Sequence, residues 1–195
     1  IALESSTTLE AKFQLSLAIA NLYMYNSPNL CIEYAEQSYE YALQSQKPHW
    51  IVDAAITVAS GYWSLGDLSK ALPTLLIADS VSMEYNLEGK RAKVLLRLGA
   101  IYSAANDYFN AINYYQQALE VNSDSVERSI KGSLHNNMGK AYLLINDPEL
   151  AIESITSALE FIDDSNRRLL AIRYFNLAEA YYKMRDYSKA EEYLE

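Results

Sequence analysis

The sequence contains few of the residues that interrupt or cross-link secondary structure. Its 195 residues include one cysteine, six glycines and four prolines. A single cysteine excludes a disulfide-bonded scaffold. So little glycine and proline excludes a collagen-like chain, a low-complexity linker and a turn-rich β-sandwich. Half of the residues are apolar, which is enough for a buried core.

Basic residues and long apolar runs are also scarce. Lysine and arginine number 16 against 25 acidic residues, so the formal charge is −9. A phosphate-binding groove needs a basic surface, and we therefore expect no nucleic-acid partner. Apolar runs such as Leu169–Ile172 fall far below the ~18 residues of a membrane span, so no membrane contact is expected. The chain begins at Ile1 without a signal peptide, and we expect a fragment of a longer protein. Its compartment, periplasmic or cytoplasmic, stays open.

An internal repeat of about forty residues runs through the chain. Equivalent positions recur at spacings of 40 residues, with 39 at the last step. One column is small: Cys31, Ala71, Ala111, Ala151 and Ala190. A second is mostly acidic: Ser27, Asp67, Asp107, Asp147 and Asp186. A third is mostly tyrosine: Leu22, Tyr62, Tyr102, Tyr142 and Tyr181. The repeat predicts five units, at about 7–46, 47–86, 87–125, 126–164 and 165–195.

Each unit is predicted to contain two helices. Between Val126 and Ile145 the apolar residues fall at steps of three and four, the helical period. Asp147 then suits an N-cap and Pro148 the first position of the next helix. Ser27 is expected to cap in the same way, and Gly or Asn before the cap allows a left-handed turn. Small residues beside large ones at fixed positions indicate close helix packing.

These motifs resemble the tetratricopeptide (TPR) family. The resemblance rests on Leu98-Gly99-x-x-Tyr102, Asn106-Asp107-Tyr108-x-x-Ala111-Ile112 and their counterparts in the other units. It covers nearly the whole chain and implies a right-handed α-solenoid of stacked antiparallel helix pairs, about ten helices in one array. The usual unit has 34 residues. We place the extra residues near Asn122–Glu127 and Asp163–Arg167, and expect a kink at Pro73.

Candidates for chemistry are few. His135 occupies a packing position and is expected to be half-buried with its hydrogen bonds satisfied, whereas His49 is expected at the surface. Cys31 is expected to be buried and inert. The acidic pairs Asp163-Asp164 and Glu191-Glu192 are interpreted as solvated charge. The segment 132–140 has the wrong spacing for a phosphate loop. No residue set for catalysis, a metal or a cofactor is visible, so we expect no enzyme.

The resemblance implies that the first helix of each unit lines a concave groove for a protein or peptide. Lys93 and Arg97 share a helix face, and with Lys140 they are predicted to form a basic patch that holds a carboxylate. Ordinary solvated bases are the alternative. Apolar, aromatic and polar positions complete the candidate groove: Phe13, Tyr23, Ile56, Ser60, Trp63, Ala100, Asn136, Phe175, Glu179 and Tyr182.

The predicted function is a non-catalytic protein- or peptide-binding scaffold. The long unit and the 17 tyrosines resemble TPR regions of bacterial signalling proteins, which precede output modules such as the GGDEF diguanylate cyclase. This implies a sensory or docking region. The alternative is a freestanding adaptor that assembles other proteins or self-associates as a homodimer. A chaperone-binding role is disfavoured, because Ile56 and Ser60 stand where that subtype needs Lys and Asn.

Overall fold

The structure, a computed structural model, describes residues 8–121, 123–162 and 166–195. Within these ranges it contains ten α-helices, one short 3-10 helix at Ser123–Ser125 and no strand. The helices are α1 (Leu9–Tyr23), α2 (Pro28–Ser45), α3 (Pro48–Ser64), α4 (Leu68–Glu84), α5 (Glu88–Ala104), α6 (Tyr108–Glu120), α7 (Arg128–Leu144), α8 (Pro148–Leu159), α9 (Arg167–Lys183) and α10 (Tyr187–Glu192). The predicted all-α class is confirmed.

The chain divides into two compact units, Ile1–Ile101 and Tyr102–Glu195. In the first unit α1 packs on α2, α2 on α3, and α3 on α4. In the second unit α6 packs on α7, α7 on α8, α8 on α9, and α9 on α10. Each of these helices therefore packs mainly on its neighbours in sequence, as expected when each repeat supplies one helix pair. A single array over 1–195 stays a prediction.

The turns between paired helices repeat one local structure. The carboxylates of Asp67, Asp107, Asp147 and Asp186 each accept a hydrogen bond from the backbone N–H three residues later, at 3.2 Å. The residue before each aspartate is left-handed, with φ of 77° at Gly66, 62° at Asn106, 63° at Asn146 and 63° at Arg185. The predicted N-caps are confirmed at these four turns, and they satisfy amides that the helix itself leaves without partners.

The first turn departs from this pattern. Ser27 precedes α2 but forms no side-chain capping bond, so the expectation that it repeats the aspartate cap is wrong. The turn between α1 and α2 has four residues instead of three. The left-handed residue of the other turns is also missing, because Asn26 does not have a positive φ, and the backbone at Ser27 has φ −152° and ψ 81°. The start of α2 depends instead on Pro28, which needs no amide partner.

Small residues bring the helices of a pair together. The small columns are buried at every copy, from Cys31, Ala71, Ala111 and Ala151 at 0% exposure to Ala190 at 6%. This confirms their predicted role in packing. A Cβ atom added to Gly139 would lie 2.5 Å from Cγ1 of Ile155, so α7 and α8 approach too closely for any side chain there.

Two other expectations concern irregular positions. Pro73 lies inside α4, which continues to Glu84, and a kink there stays a prediction. Of the residues assigned to the unit junctions, Asn122 and 163–165 lie outside the described residues, and so does the pair Asp163-Asp164. Glu191 and Glu192 are both exposed, as expected for solvated charge.

Candidate functional site

The end of α3 in the first compact unit contains a small cavity. Its volume is about 230 Å³. Three of the predicted groove residues line it: Ser60, Trp63 and Arg97. Met24, Tyr25 and Ser64 complete the lining. Trp63 and Arg97 thus line one cavity, and the predicted groove over five repeats stays a prediction.

The lining combines an apolar wall with one cationic group. Trp63 and Arg97 are each partly exposed, and Met24 and Tyr25 provide further apolar and aromatic surface. The two serine hydroxyls are not available as hydrogen-bond donors to a ligand. Ser60 donates to the Ile56 carbonyl at 2.7 Å, and Ser64 donates to the Ser60 carbonyl at 3.0 Å. Polar recognition in this cavity therefore depends mainly on the Arg97 guanidinium.

The neighbouring bases on α5 differ from Arg97. Lys90 pairs with Asp53, with Nζ 2.6 Å from Oδ1, and Arg91 pairs with Asp79, with Nε 3.0 Å from Oδ1. For Arg97 no ion pair occurs within residues 8–121, 123–162 and 166–195. Arg97 lines the cavity instead, so its charge is available to an anionic group.

Some predicted groove residues are core residues. Phe13 is only 1% exposed and stacks on Trp50, with ring centroids 4.4 Å apart and an interplanar angle of 5°. The prediction that Phe13 contacts a ligand is therefore wrong, because its ring belongs to the core between α1 and α3. Ser60 is 5% exposed, so it contributes to the cavity wall with little surface.

The other predicted positions are distributed along the two compact units. Tyr23 is 37% exposed and stacks on Tyr34, and Asn136 accepts a hydrogen bond from Asn176 at 2.9 Å. Ile56, Lys93 and Ala100 are half-buried; Lys140, Phe175, Glu179 and Tyr182 are exposed. The joint basic patch of Lys93, Arg97 and Lys140 stays a prediction.

Sequence reasoning missed Met24, Tyr25 and Ser64. Met24 and Tyr25 follow the last residue of α1, and Ser64 is the last residue of α3. The repeat pattern weights positions in the middle of helices, whereas this cavity is built at helix ends. The sequence signal is an aromatic residue in the turn before Ser27, and the ring of this residue, Tyr25, is 87% exposed.

The imidazole of His135 does not make all the hydrogen bonds that its position suggested. Its ring stacks on Phe161, with centroids 5.7 Å apart, but its buried Nδ1 has no hydrogen-bond partner among the described residues. Burial lowers the pKa of His135, nearby Arg173 lowers it further, and Glu160 opposes them. The expectation of a satisfied imidazole is therefore wrong, because Phe161 covers the ring without offering a polar group.

The two remaining candidates for chemistry lie as predicted. Cys31 is buried, and burial raises the pKa of its thiol, which disfavours the reactive thiolate. His49 is exposed beside Trp50. In the part of the chain that the structure describes, no group of three His, Cys, Asp or Glu side chains could hold a metal ion. The same residues form no helix with the length and apolarity needed to cross a bilayer.

Comparison with known sequences identifies a repeat family. Two family models, each described as a tetratricopeptide repeat, match residues 90–164 and 171–195. Together they cover just over half of the chain. No curated protein matches the sequence.

Solved structures share the fold at low sequence identity. BtubC (BKLC) from P. vanneervenii is 22% identical, with a TM-score of 0.69 over 97% of this chain and 89% of that one. A putative kinesin light chain with TPR-like repeats from Podosopora anserina is 16% identical, with a TM-score of 0.76 over 97% and 94%. A signal transduction ATPase with a tetratricopeptide repeat sensor from Pyrococcus horikoshii is 19% identical, with a TM-score of 0.80 over 97% of this chain but only 30% of that one. At these identities the similarity establishes the fold.

Proposed function

Because this chain belongs to the tetratricopeptide repeat family, whose fold is typically a non-catalytic scaffold, we propose that it binds a protein or peptide partner through the cavity beside Trp63. The observation that carries this proposal is the Arg97 guanidinium, which has no ion pair within the described residues and stands in a mainly apolar cavity with Trp63 and Met24. Trp and Arg are also frequent hot spots of protein interfaces.

The lining favours a specific kind of ligand. An apolar side chain of the partner packs against the Trp63 indole, and an adjacent carboxylate pairs with Arg97. Lys93, four residues before Arg97 on α5, strengthens the positive field of this helix. Within the first compact unit, the predicted groove positions Tyr23, Ile56 and Ala100 extend this contact.

Charge reversal tests the proposal. The probe is the peptide acetyl-Leu-Leu-Glu-Leu-Leu-amide, and its Glu→Gln version is the control ligand. Binding is followed by titration calorimetry with the 195-residue chain. We expect Lys93→Glu/Arg97→Glu to weaken binding of the Glu peptide by at least about tenfold, since charged hydrogen bonds contribute ~1.5–3 kcal/mol. Lys183→Glu/Arg168→Glu changes two exposed bases of α9 and should have no effect. Equal weakening by both double variants, or equal affinity for both peptides, contradicts the proposal.

For the cellular context, we propose the sensory or docking region of a larger bacterial signalling protein, with a GGDEF diguanylate cyclase as the output module. Support comes from the Pyrococcus horikoshii ATPase, in which a tetratricopeptide repeat forms the sensor. The second candidate is a freestanding adaptor, or one that self-associates as a homodimer. The gene separates them: an output domain encoded after residue 195 supports the first, and further repeats or a stop codon support the second.

A further inference from the structure

A second cavity lies in the first compact unit, among α2, α3 and α4. Its volume is about 430 Å³. It shares no lining residue with the cavity beside Trp63, and its walls include Glu36, Tyr39, Tyr62, Thr74 and Ile77. Because the two cavities share no residues, what occupies this one is a separate question from the proposed function.

The repeat relates this cavity to a position that a ring fills in other copies. The forty-residue spacing aligns Thr74 with Tyr34, Tyr114, Ser154 and Tyr193. In two copies the tyrosine at this position stacks on the tyrosine of the preceding helix. Tyr114 stacks on Tyr102, with centroids 5.2 Å apart and an angle of 17°, and Tyr193 stacks on Tyr181 at 5.6 Å and 7°.

The copy at Tyr62 lacks this second ring. Thr74 replaces the tyrosine, as Ser154 does beside Tyr142, and no ring stacks on Tyr62 or Tyr142 within the described ranges. Both Tyr62 and Thr74 line the cavity. The space that Tyr114 and Tyr193 fill in their own copies is therefore open beside Tyr62.

A lysine near the ring does not take this space. The Lys70 ammonium lies 5.1 Å from the Tyr62 centroid and 3.7 Å from Asp67. The last copy reproduces this arrangement, because the Lys189 ammonium lies 5.0 Å from the Tyr181 centroid and 3.6 Å from Asp186. Tyr181 nevertheless also stacks on Tyr193. One tyrosine thus accommodates a lysine and a second ring together.

The Tyr62 ring is held in place from its hydroxyl end. Its Oη donates a hydrogen bond to Oε1 of Glu36 at 2.6 Å. This bond is the main cause that raises the pKa of Tyr62 to about 12, and burial and the charges of Glu36 and Asp67 add to it. A ring fixed in this way offers a preorganised stacking surface, which lowers the entropic cost of binding.

We propose that this cavity binds an aromatic side chain of a protein partner, which stacks on Tyr62 in the place that Tyr114 and Tyr193 occupy in their own copies. The occupant is a planar ring, because the filled copies contain rings at near-parallel angles. Lys70 and Glu36 also line the cavity, so it accepts a ring that carries a polar edge, such as tyrosine. The site is a second contact surface, independent of Arg97.

The ligand test uses two small probes and the 195-residue chain. N-acetyl-L-tyrosinamide and N-acetyl-L-leucinamide are titrated while amide chemical shifts are recorded. We expect saturable shifts at residues lining the cavity, such as Ile77, and affinity for the tyrosine probe about two- to tenfold above that for the leucine probe. Equal affinity for the two probes, or no saturable shift at these residues, overturns the proposal.

Variants at the aligned position sharpen the test. Thr74→Tyr should fill the cavity from within, remove binding of the tyrosine probe and leave the helicity unchanged, whereas Thr74→Val should retain binding. Tyr114→Thr should open an equivalent space beside Tyr102 and add a second set of saturable shifts. Undiminished binding by folded Thr74→Tyr contradicts the proposal. If Thr74→Tyr does not fold, Thr74→Phe replaces it in this test. The comparison of the two probes on the unmodified chain tests the proposal without any variant.

Discussion

The contact between Gly139 and Ile155 provides a quantitative test of how the helix pairs pack. In Gly139→Ala the new Cβ would meet Cγ1 of Ile155 at 2.5 Å and the Ala151 carbonyl oxygen at 3.1 Å. Neither neighbour can yield easily, since Ile155 is fully buried with Leu143 and Leu177 and the carbonyl belongs to α8. The close approach should therefore be resolved by separating two helices.

Two effects of opposite sign determine the magnitude. Alanine stabilises a helix interior by about 1 kcal/mol relative to glycine, and overpacking a dense core costs about 1–3 kcal/mol. Because neither neighbour can yield easily, we expect the upper part of the overpacking range, about 2–3 kcal/mol, and therefore a net loss of about 1–2 kcal/mol. Urea unfolding followed by far-ultraviolet circular dichroism measures the change, and an unchanged m-value shows that the exposed surface is comparable.

A double-variant cycle isolates the contact. Ile155→Ala alone should cost about 2–5 kcal/mol, because it leaves a cavity in the core. In Gly139→Ala/Ile155→Ala the new methyl enters that cavity, so the double variant should be at least about 1 kcal/mol more stable than the sum of the single losses. Strict additivity, or a Gly139→Ala protein as stable as the parent, would refute the close-packing argument.

Two further predictions concern a cap and a buried imidazole. Asp147→Ala should lower the free energy of unfolding by about 1 kcal/mol, whereas Ser27→Ala should have little effect because Ser27 forms no capping bond; equal losses in urea melts would contradict this. Burial lowers the pKa of His135 in the folded state, so the unfolded chain takes up the proton first as pH falls. Stability should therefore decline as pH drops through the ordinary value of about 6.5, by at most about 1.4 kcal/mol per unit. His135→Leu should flatten this dependence between pH 7.5 and 5, and an unchanged slope would assign it to other groups.

The fold was predictable because its determinants recur along the chain. The aspartate caps, the left-handed residue before each cap and the small columns are local requirements of a helix pair. Each feature occurs four or five times at equivalent positions, so the other copies support the prediction made from any one of them. Ser27 shows the limit: its place in the column suggested a cap, but the backbone there differs from that at the aspartate caps. Column position alone does not report backbone geometry.

The candidate site was less predictable, because it depends on which side chains are covered. Phe13 and Trp63 are both aromatic residues of first helices, yet Phe13 is buried against Trp50 while Trp63 lines a cavity. The difference arises from the neighbouring unit, because Phe13 of α1 contacts Trp50 of α3, and the repeat period does not encode which side chain that unit supplies. Likewise, the cavity at Thr74 follows from a missing ring, and an absent side chain gives no signal unless the aligned copies are compared.

The number of residues in each turn also determines the orientation of the helix that follows it. At four of them the backbone N–H of the capping aspartate donates to the carbonyl of the tyrosine five residues before it, as Asp147 does to Tyr142 at 2.9 Å. This hydrogen bond therefore fixes the turn to the helix that carries the tyrosine. One residue inserted after Asn146 would rotate α8 by about 100° about its axis, directing Ala151 and Ile155 away from α7. We expect single-residue insertions at these turns to be far more damaging than insertions between the repeats.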